Sequence, residues 1–312
     1  MDREEVWKNF DLGTEIDIAG TFIYNGLRCF HEMRTLDHTE EMFEFFYNLS
    51  VGIERLLKVA VIMLEHDGTQ EQEAFEKSLI THNHLELLRR INAQANLNLA
   101  GLHNEFLGML STFYKSFRYD RFSSSLAWNP DKEKAALRGF LEKHLQVTFN
   151  DTSSFFATAN APQFKKFIGK LVKRISGELY QVVVESAYSL NLYTYERRVD
   201  SKAAKIFLKG DFTFETEDVL WKELLIFFMN TSAQSNFLDY LRSIKPLEFD
   251  EALAQEYLQC LQSEEAKQAV LGELEVLYEE LGSRGARLEA LEPLGDTRFI
   301  FDFEYDEVED ED

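Results

Sequence analysis

The stretch EEMFEFFYNLSVGIERLLKVAVIMLEH, residues 40–66, carries the most regular apolar pattern in the chain. Its apolar residues recur at intervals of three and four, which is the spacing of one face of an α-helix. Asp37 or Thr39 precedes it as a capping residue, and Asp67 and Gly68 follow it as a helix end. The stretch therefore predicts a long helix that is packed against the rest of the protein.

Other segments with helical spacing surround this one. Together with 40–66, the segments 17–34, 78–91 and 98–122 predict four helices that are joined by short connections. Four helices with short connections are typical of a compact bundle. An additional helix is predicted at 132–147, so we expect the first helical domain to cover residues 1–147.

The second half of the chain is also predicted to be helical. The stretch TFNDTSSFFATANAP, residues 148–162, is rich in Ser, Thr and Asn and is predicted to be a linker. A helical domain is expected over 163–298 and an acidic C-terminal arm over 299–312, with short strands as an option at 211–215 and 299–305. The predicted helices of this half are 163–175, 177–192, 217–229, 233–243, 249–261 and 263–281. The predicted fold class is all-α.

Composition excludes several classes of protein. The 312 residues are 45% apolar and 28% charged, which is typical of a globular protein. Two cysteines exclude a disulfide-rich scaffold and a CxxC metal site, and the acidic start MDREEVWKNF is unlike a signal peptide. No apolar run is long enough to span a membrane. We therefore expect a cytoplasmic protein without a membrane, metal or cofactor site.

Charge is distributed unevenly along the chain. The net charge is −22, and residues 251–312 contribute −15 of it with 19 acidic and 4 basic residues. Residues 164–209 are the opposite, with 10 basic and 4 acidic residues and a net charge of +6. The acidic C-terminus is interpreted either as a solubilising tail or as a segment that competes with nucleic acid for a basic surface of its own chain.

The strongest basic run is FKKFIGKLVKR, residues 164–174, which is amphipathic. Its cations follow one side of the predicted helix, where they are candidates for RNA binding: Lys166, Lys170, Lys173 and Arg174. The run is suited to phosphate contact. It is equally suited to binding the acidic C-terminus or an acidic partner protein.

Three segments of the first half resemble the HEPN domain, a nucleotide-binding helical domain of prokaryotes and higher eukaryotes. These are GIERLLKVAVIMLEHDG at 52–68, THNHLELL at 81–88 and FYKSFRYDRF at 113–122. The first is similar to the family's second helix, the second to the start of its third helix and the third to the end of its fourth. Their order and spacing extend the resemblance over about residues 15–125.

The resemblance implies two kinds of function. Many HEPN proteins are metal-independent RNases with an R-x4-6-H motif, whereas others bind nucleotides or proteins, and many bacterial members belong to toxin–antitoxin or antiphage systems. One match to the motif is present, from Arg138 to His144, although Gly139 replaces the usual polar residue. His144 would be the base and Arg138 the cation, and two such pairs would meet in a homodimer. The alternative is an ordinary surface Arg and His.

A second set of candidates lies within the resemblance itself. His82 matches the family's pocket histidine, with the alternative that it caps its helix and hydrogen-bonds a neighbour. His84 is two residues away and would not share a helix face with it. Lys115, Arg118 and Arg121 recur at intervals of three beside aromatic residues, which suits a phosphate and a stacked base. The alternative for these three is an ion-paired bundle surface.

These observations lead to competing functional hypotheses. The first is a bacterial defence or toxin-type protein that binds RNA or a nucleotide and acts as a metal-independent endoribonuclease. The second is a non-catalytic module that contacts partner proteins, and a third is a regulator inhibited by its own acidic tail. The first predicts that Arg138 meets His144, or that His82 meets Arg118.

Overall fold

The computed structural model describes residues 3–120, 122, 124, 132–149, 157–192, 199–261 and 264–294. All regular secondary structure in these ranges is helical, and the antiparallel bridge between Thr35 and Ala159 is isolated. The all-α prediction is therefore confirmed. In particular, residues 211–214 form an irregular segment and no strand.

The chain divides into two compact units, residues 1–214 and 215–312. Apart from single helical turns at Arg3–Val6 and Arg118–Asp120, the helices of the first unit are α1 Leu12–Glu32, α2 Thr39–Glu65, α3 Gln72–Ser78, α4 His84–Asn92, α5 Gly101–Thr112, α6 Lys132–Leu145, α7 Pro162–Ser189 and α8 Lys202–Phe207. Those of the second are α9 Glu215–Asn230, α10 Asn236–Ser243, α11 Ala254–Cys260, α12 Glu264–Glu279 and α13 Arg284–Leu291.

Helix α2 is the centre of the first unit and contacts α1, α4, α6 and α7. It is apolar on nearly every side, which explains the density of buried residues along it. Its close packing against α1 requires Gly52, since a Cβ there would lie 2.9 Å from the Ala19 carbonyl oxygen. The predicted side-chain cap at its start is wrong: His38 holds the capping position without a cap hydrogen bond, and Asp37 is paired elsewhere.

Two π-helical segments interrupt the α-helices of the first unit. One is Trp7–Asp11, which leads into α1, and the other is Phe113–Phe117, which follows α5 and precedes a last helical turn at Arg118–Asp120. A π-helical turn redirects the side chains that it carries, and such turns are frequent at functional sites. Both segments contribute residues to the sites described below.

Helix α7 differs from the prediction in length and in the domain to which it belongs. The predicted helices 163–175 and 177–192 are one helix, because Gly177 lies at an open position and the buried face continues past it through Leu179 and Val183. This face packs against α2, so the first unit extends to Phe214. The division predicted at 148–162 differs from the observed one for this reason.

The second unit has few buried side chains among its described residues, and three of its five described helices have eight residues or fewer. Four of them lie close to the predicted segments, whereas α13 was missing from the prediction. Helix α9 exposes a run of large apolar side chains, namely Val219, Leu220, Leu224, Ile226, Phe227, Phe228 and Met229. The arm predicted at 299–312 lies outside the described residues. None of the described helices combines the length and the apolar character that crossing a membrane requires.

Candidate nucleotide site

The imidazole of His82 is paired with a buried carboxylate. Nδ1 of His82 lies 3.0 and 3.2 Å from the two carboxylate oxygens of Glu54, which is on α2. Nζ of Lys58, one turn later, donates to the same carboxylate at 2.7 Å. The Glu54 side chain is 8% exposed and that of His82 is 47% exposed. When Nδ1 donates to Glu54, Nε2 is the basic nitrogen on an accessible ring.

Tyr114 joins His82 to Arg118. The rings of Tyr114 and His82 meet edge-on with their centroids 4.7 Å apart. The guanidinium carbon of Arg118 lies 3.8 Å from the centre of the Tyr114 ring and 4.5 Å from that of Tyr119. Burial raises the pKa of the Tyr114 hydroxyl. The π-helical segment Phe113–Phe117 carries Tyr114 and so brings both partners onto one ring.

We call this surface the His82 patch, and its members are Glu54, Lys58, His82, Tyr114, Lys115 and Arg118. Lys115 is exposed and makes no hydrogen bond or ion pair with the residues that the structure describes. Arg118 likewise has no carboxylate partner within the described ranges, and its buried Nε lacks a hydrogen bond. The six members of the patch therefore comprise three cations, a histidine and one carboxylate, and Lys58 and His82 are the two that contact this carboxylate. The excess of positive charge makes the patch complementary to an anion.

Contacts of the buried residues His84 and Ser111 hold the loop that carries His82 in place. His84 is fully buried, and its Nε2 lies 2.9 Å from the Ser50 carbonyl oxygen on α2. Burial lowers the pKa of His84, so the ring is neutral at pH 7. Ser111 on α5 donates to the His82 carbonyl at 3.3 Å. Asn83, and not His82, caps α4, since its side chain accepts from the Glu86 amide.

The structure does not bring Arg138 and His144 together within the chain. Five residues lie between them on α6, so their side chains leave the helix about 120° apart. Arg138 contacts Asp37 at 3.0 Å and also Thr158. Nε2 of His144 lies 3.0 Å from the Glu105 carboxylate. Neither is the plain surface residue of the alternative hypothesis, since their side chains are 17% and 19% exposed.

The ion pair with Arg138 is one of several interactions that favour the charged form of Asp37. Burial alone would raise the pKa of the Asp37 carboxyl, but hydrogen bonds from Lys134 and the Thr158 amide, together with the charges of Lys134 and Arg138, lower it. This cluster connects α6 to the start of α2 and to the segment that leads into α7. Arg138 is thus engaged in holding the fold together.

The basic run on α7 is partly engaged by the chain itself. Lys173 donates to the Gly210 carbonyl at 2.7 Å, and Arg174 pairs with Glu178 at 3.1 Å and bonds the Asn98 carbonyl. Lys166 and Lys170 are exposed and have no ion pair with the residues described. Among the described residues, Arg174 is thus the one of the four predicted cations that is paired with a carboxylate, Lys173 is held by a backbone carbonyl, and Lys166 and Lys170 are held by neither. The remaining candidate, Arg121, lies outside the described residues.

Three members of the patch are absent from the site residues that the sequence predicts: Glu54, Lys58 and Tyr114. Glu54 and Lys58 lie in the segment that resembles a family helix, and a carboxylate within the largely apolar stretch 52–64 is itself a signal of a specific partner. Tyr114 is one of several neighbouring aromatics and has no distinguishing spacing. In the part of the chain that the structure describes, no group of three His, Cys, Asp or Glu residues is arranged to hold a metal.

Comparison with protein-family models, with curated proteins and with solved structures gives no match for this chain. The resemblance to the HEPN domain rests on its three sequence segments. The geometry of the His82 patch is independent of that resemblance and stands on the contacts given above.

Proposed function

We propose that this protein is an HEPN-like protein that binds RNA or a nucleotide at the His82 patch. The observation that carries the proposal is the arrangement of His82 and Arg118 on the Tyr114 ring, beside the unpaired Lys115. Arginine planes and aromatic rings stack on unpaired bases, and lysines contact phosphates. The patch combines these elements on one exposed surface.

The ring of Tyr119 extends this surface. It is 54% exposed and lies on the Arg118 guanidinium, so a base can stack on the outer face of the pair. Lys115 on the preceding turn is then placed for the phosphate of the same or the next nucleotide. A bulk charge of −22 opposes general polyanion binding, so we expect a short, salt-sensitive contact.

The Glu54–His82 pair favours cleavage as a second step at the same site. His82 Nε2 would take the proton of a ribose 2′-hydroxyl, whose oxygen would then attack the adjacent phosphorus. The bond from phosphorus to the 5′ oxygen would break, and that oxygen would leave with a proton from solvent. Arg118 and Lys115 would stabilise the charge on the phosphorane. The products would be a 2′,3′-cyclic phosphate and a 5′-hydroxyl.

Binding is tested by fluorescence anisotropy with a labelled single-stranded RNA at low and physiological salt. Arg118→Ala should weaken binding about tenfold, in line with the 1–3 kcal/mol of a stacked base. The matched control is Arg284→Ala in the second unit, because Arg284 also lies over a tyrosine, Tyr278, at 5.7 Å. Equal affinity of Arg118→Ala and the unchanged protein would contradict the proposal.

The alternative of a protein-interaction module is favoured by a different observation, the exposed apolar run of α9. Exposed apolar surface of this extent is typical of contact surfaces between proteins. Replacement of Leu224 and Phe227 by Ser should then weaken association. Sedimentation experiments should show a lower average mass at each protein concentration, whether the protein associates with a second copy or with another protein added to the sample. If no form of the protein binds RNA and this change in mass is observed, the interaction module is favoured.

A further inference from the structure

A cleft of about 500 Å³ opens in the first unit, away from the residues of the His82 patch. It lies among the Trp7–Asp11 segment, α1, the second half of α2, and the last turns of α7. Its floor is formed by buried apolar side chains, and its rim by Tyr188, Val199 and Leu208, which are exposed. The volume is within the range of small-molecule sites, roughly 300–1,000 Å³.

The described lining of the cleft is mostly apolar, and its one charged residue is basic. The walls are mainly aliphatic, and three helices and the residue Leu192 after α7 supply them. The aliphatic helical residues are Leu12, Ile16, Val59, Met63, Val183, Val184 and Ala187. Lys8 is the one charged residue among the described residues that line the cleft. An anion therefore meets one cation and no carboxylate on the part of the walls that the structure describes.

Lys8 is held at the polar end of this cleft. Its Nζ donates to the His66 carbonyl at 2.7 Å. An ammonium has three donors, so this bond fixes the position of Lys8 and leaves donors for a ligand. The π-helical segment Trp7–Asp11 places Lys8 and Asn9 on the cleft side, one turn before Leu12. Tyr180 lies against Phe207 with ring centroids 4.8 Å apart, which fixes the opposite wall.

We propose that this cleft binds a single-chain amphiphile with an anionic head, such as a medium-chain fatty acid. The aliphatic walls take the chain, and Lys8 pairs with the head group. Burial of each methylene of such a chain contributes about 0.8 kcal/mol, so a chain of several methylenes supplies most of the affinity. The head group adds selectivity for an anion over a neutral amphiphile of the same length.

The experiment is isothermal titration calorimetry of the full chain with decanoate, kept below its micelle concentration, and with 1-decanol. Decanoate should bind with one-to-one stoichiometry and raise the melting temperature. Ala187→Trp, which fills the cleft, should weaken binding at least tenfold. Ala135→Trp, on the exposed side of α6, is the matched control and should bind as the unchanged protein does.

The role of Lys8 is tested by Lys8→Met, which keeps the aliphatic stem and removes the charge. Decanoate binding should weaken about tenfold while 1-decanol binding is unchanged. Circular dichroism and the melting temperature without ligand verify the fold, and Val184→Trp serves as a second occluding variant. The proposal is overturned if decanoate does not bind, if both occluding variants bind it normally, or if Lys8→Met weakens both ligands equally. RNA binding should be unaffected by Ala187→Trp, which keeps this test separate from that of the His82 patch.

Discussion

His82 and His144 each lie 3.0 Å from a glutamate carboxylate, and these two pairs are built in opposite ways. At Glu54–His82 the carboxylate is buried and the imidazole is accessible, with side-chain exposures of 8% and 47%. At Glu105–His144 the carboxylate is the accessible partner, with 38% against 19% for the imidazole. The His144 ring is also covered by Phe140, at 4.6 Å between centroids.

The difference shows that spacing along the sequence and access to a ligand are separate properties. His144 has the spacing of a motif, but its ring is packed within the bundle and its nearest partners are Glu105 and Phe140. A hydrogen bond from Lys143, and less strongly one from His144, lowers the pKa of the Glu105 carboxyl, so this carboxylate remains charged. His82 has an accessible ring and an arginine on the next aromatic residue.

The largest expected effect separates the two histidines by activity. If the patch cleaves RNA, His82→Ala should lower the cleavage rate by about 10²–10⁴, the usual contribution of a general base. His144→Ala and Arg138→Ala should retain the rate, provided that both variants keep the melting temperature. A gel assay with a 5′-labelled RNA measures this. Loss of activity in His144→Ala with an intact fold would instead support the pair on α6.

The next effect concerns stability. Glu54→Gln removes a buried charge that Lys58 and His82 share, and should lower the free energy of unfolding by about 1–3 kcal/mol. Glu105→Gln removes an accessible charge and should change it by less than about 0.5 kcal/mol. Urea denaturation of both variants measures the difference. Equal losses would mean that the two carboxylates are equivalent in the folded protein.

A smaller effect is expected from the pH dependence of stability. His84 is buried in its neutral form, because burial lowers its pKa below the value of 6.5 that it has in the unfolded chain. The unfolded state therefore binds a proton first, so the contribution of His84 to stability is complete above pH 6.5 and is lost as the pH falls below it. His84→Gln should reduce this acid dependence by up to about 1.4 kcal/mol per pH unit, measured by urea denaturation between pH 7 and 5.

An unchanged pH slope in His84→Gln would show that this residue is not the buried titrating group. Ser50→Ala is the companion variant, because the bond from His84 goes to the backbone carbonyl of Ser50 and survives the change. It should keep the slope of the unchanged protein.

The smallest effect belongs to the acidic C-terminus, which lies outside the described residues. Deletion of Asp306–Asp312 removes six acids and should raise RNA affinity a few-fold, mainly at low salt. If α7 is the masked surface, changing Lys166 and Lys170 to Gln should cancel the rise. Lys173 is left in place because it holds the Gly210 carbonyl. A rise that persists in this variant would assign the effect to net charge or to the His82 patch.

The sequence predicts the helices of this protein better than their assembly. The 40–66 pattern predicts α2 almost to the residue, because its repeat of apolar residues at helical spacing is strong enough to decide the local structure. The linker-like composition of 148–162 was misleading, since α7 buries Phe164, Ile168 and Leu171 in the same core. Whether a helix continues an existing core or begins a new one depends on contacts between distant residues.

The sequence predicts part of the site: three of its six members and, as one of two options, the approach of His82 to Arg118. His82, Lys115 and Arg118 were selected from the sequence, and the structure brings His82 and Arg118 onto one ring. The π-helical segment that produces this contact has no composition signal in FYKSF. Arg138 and His144 satisfied a spacing that, on a straight helix, turns them to different sides.

The most direct test of the account is to map where RNA contacts the protein. Ultraviolet crosslinking of a 4-thiouridine-containing single-stranded RNA, followed by mass spectrometry of the peptides, reports the contact residues without any substitution. The account predicts crosslinks at Tyr114 and Tyr119, which carry the exposed stacking surface of the His82 patch. Crosslinks confined to α6 or α7, with none in 113–120, would contradict it.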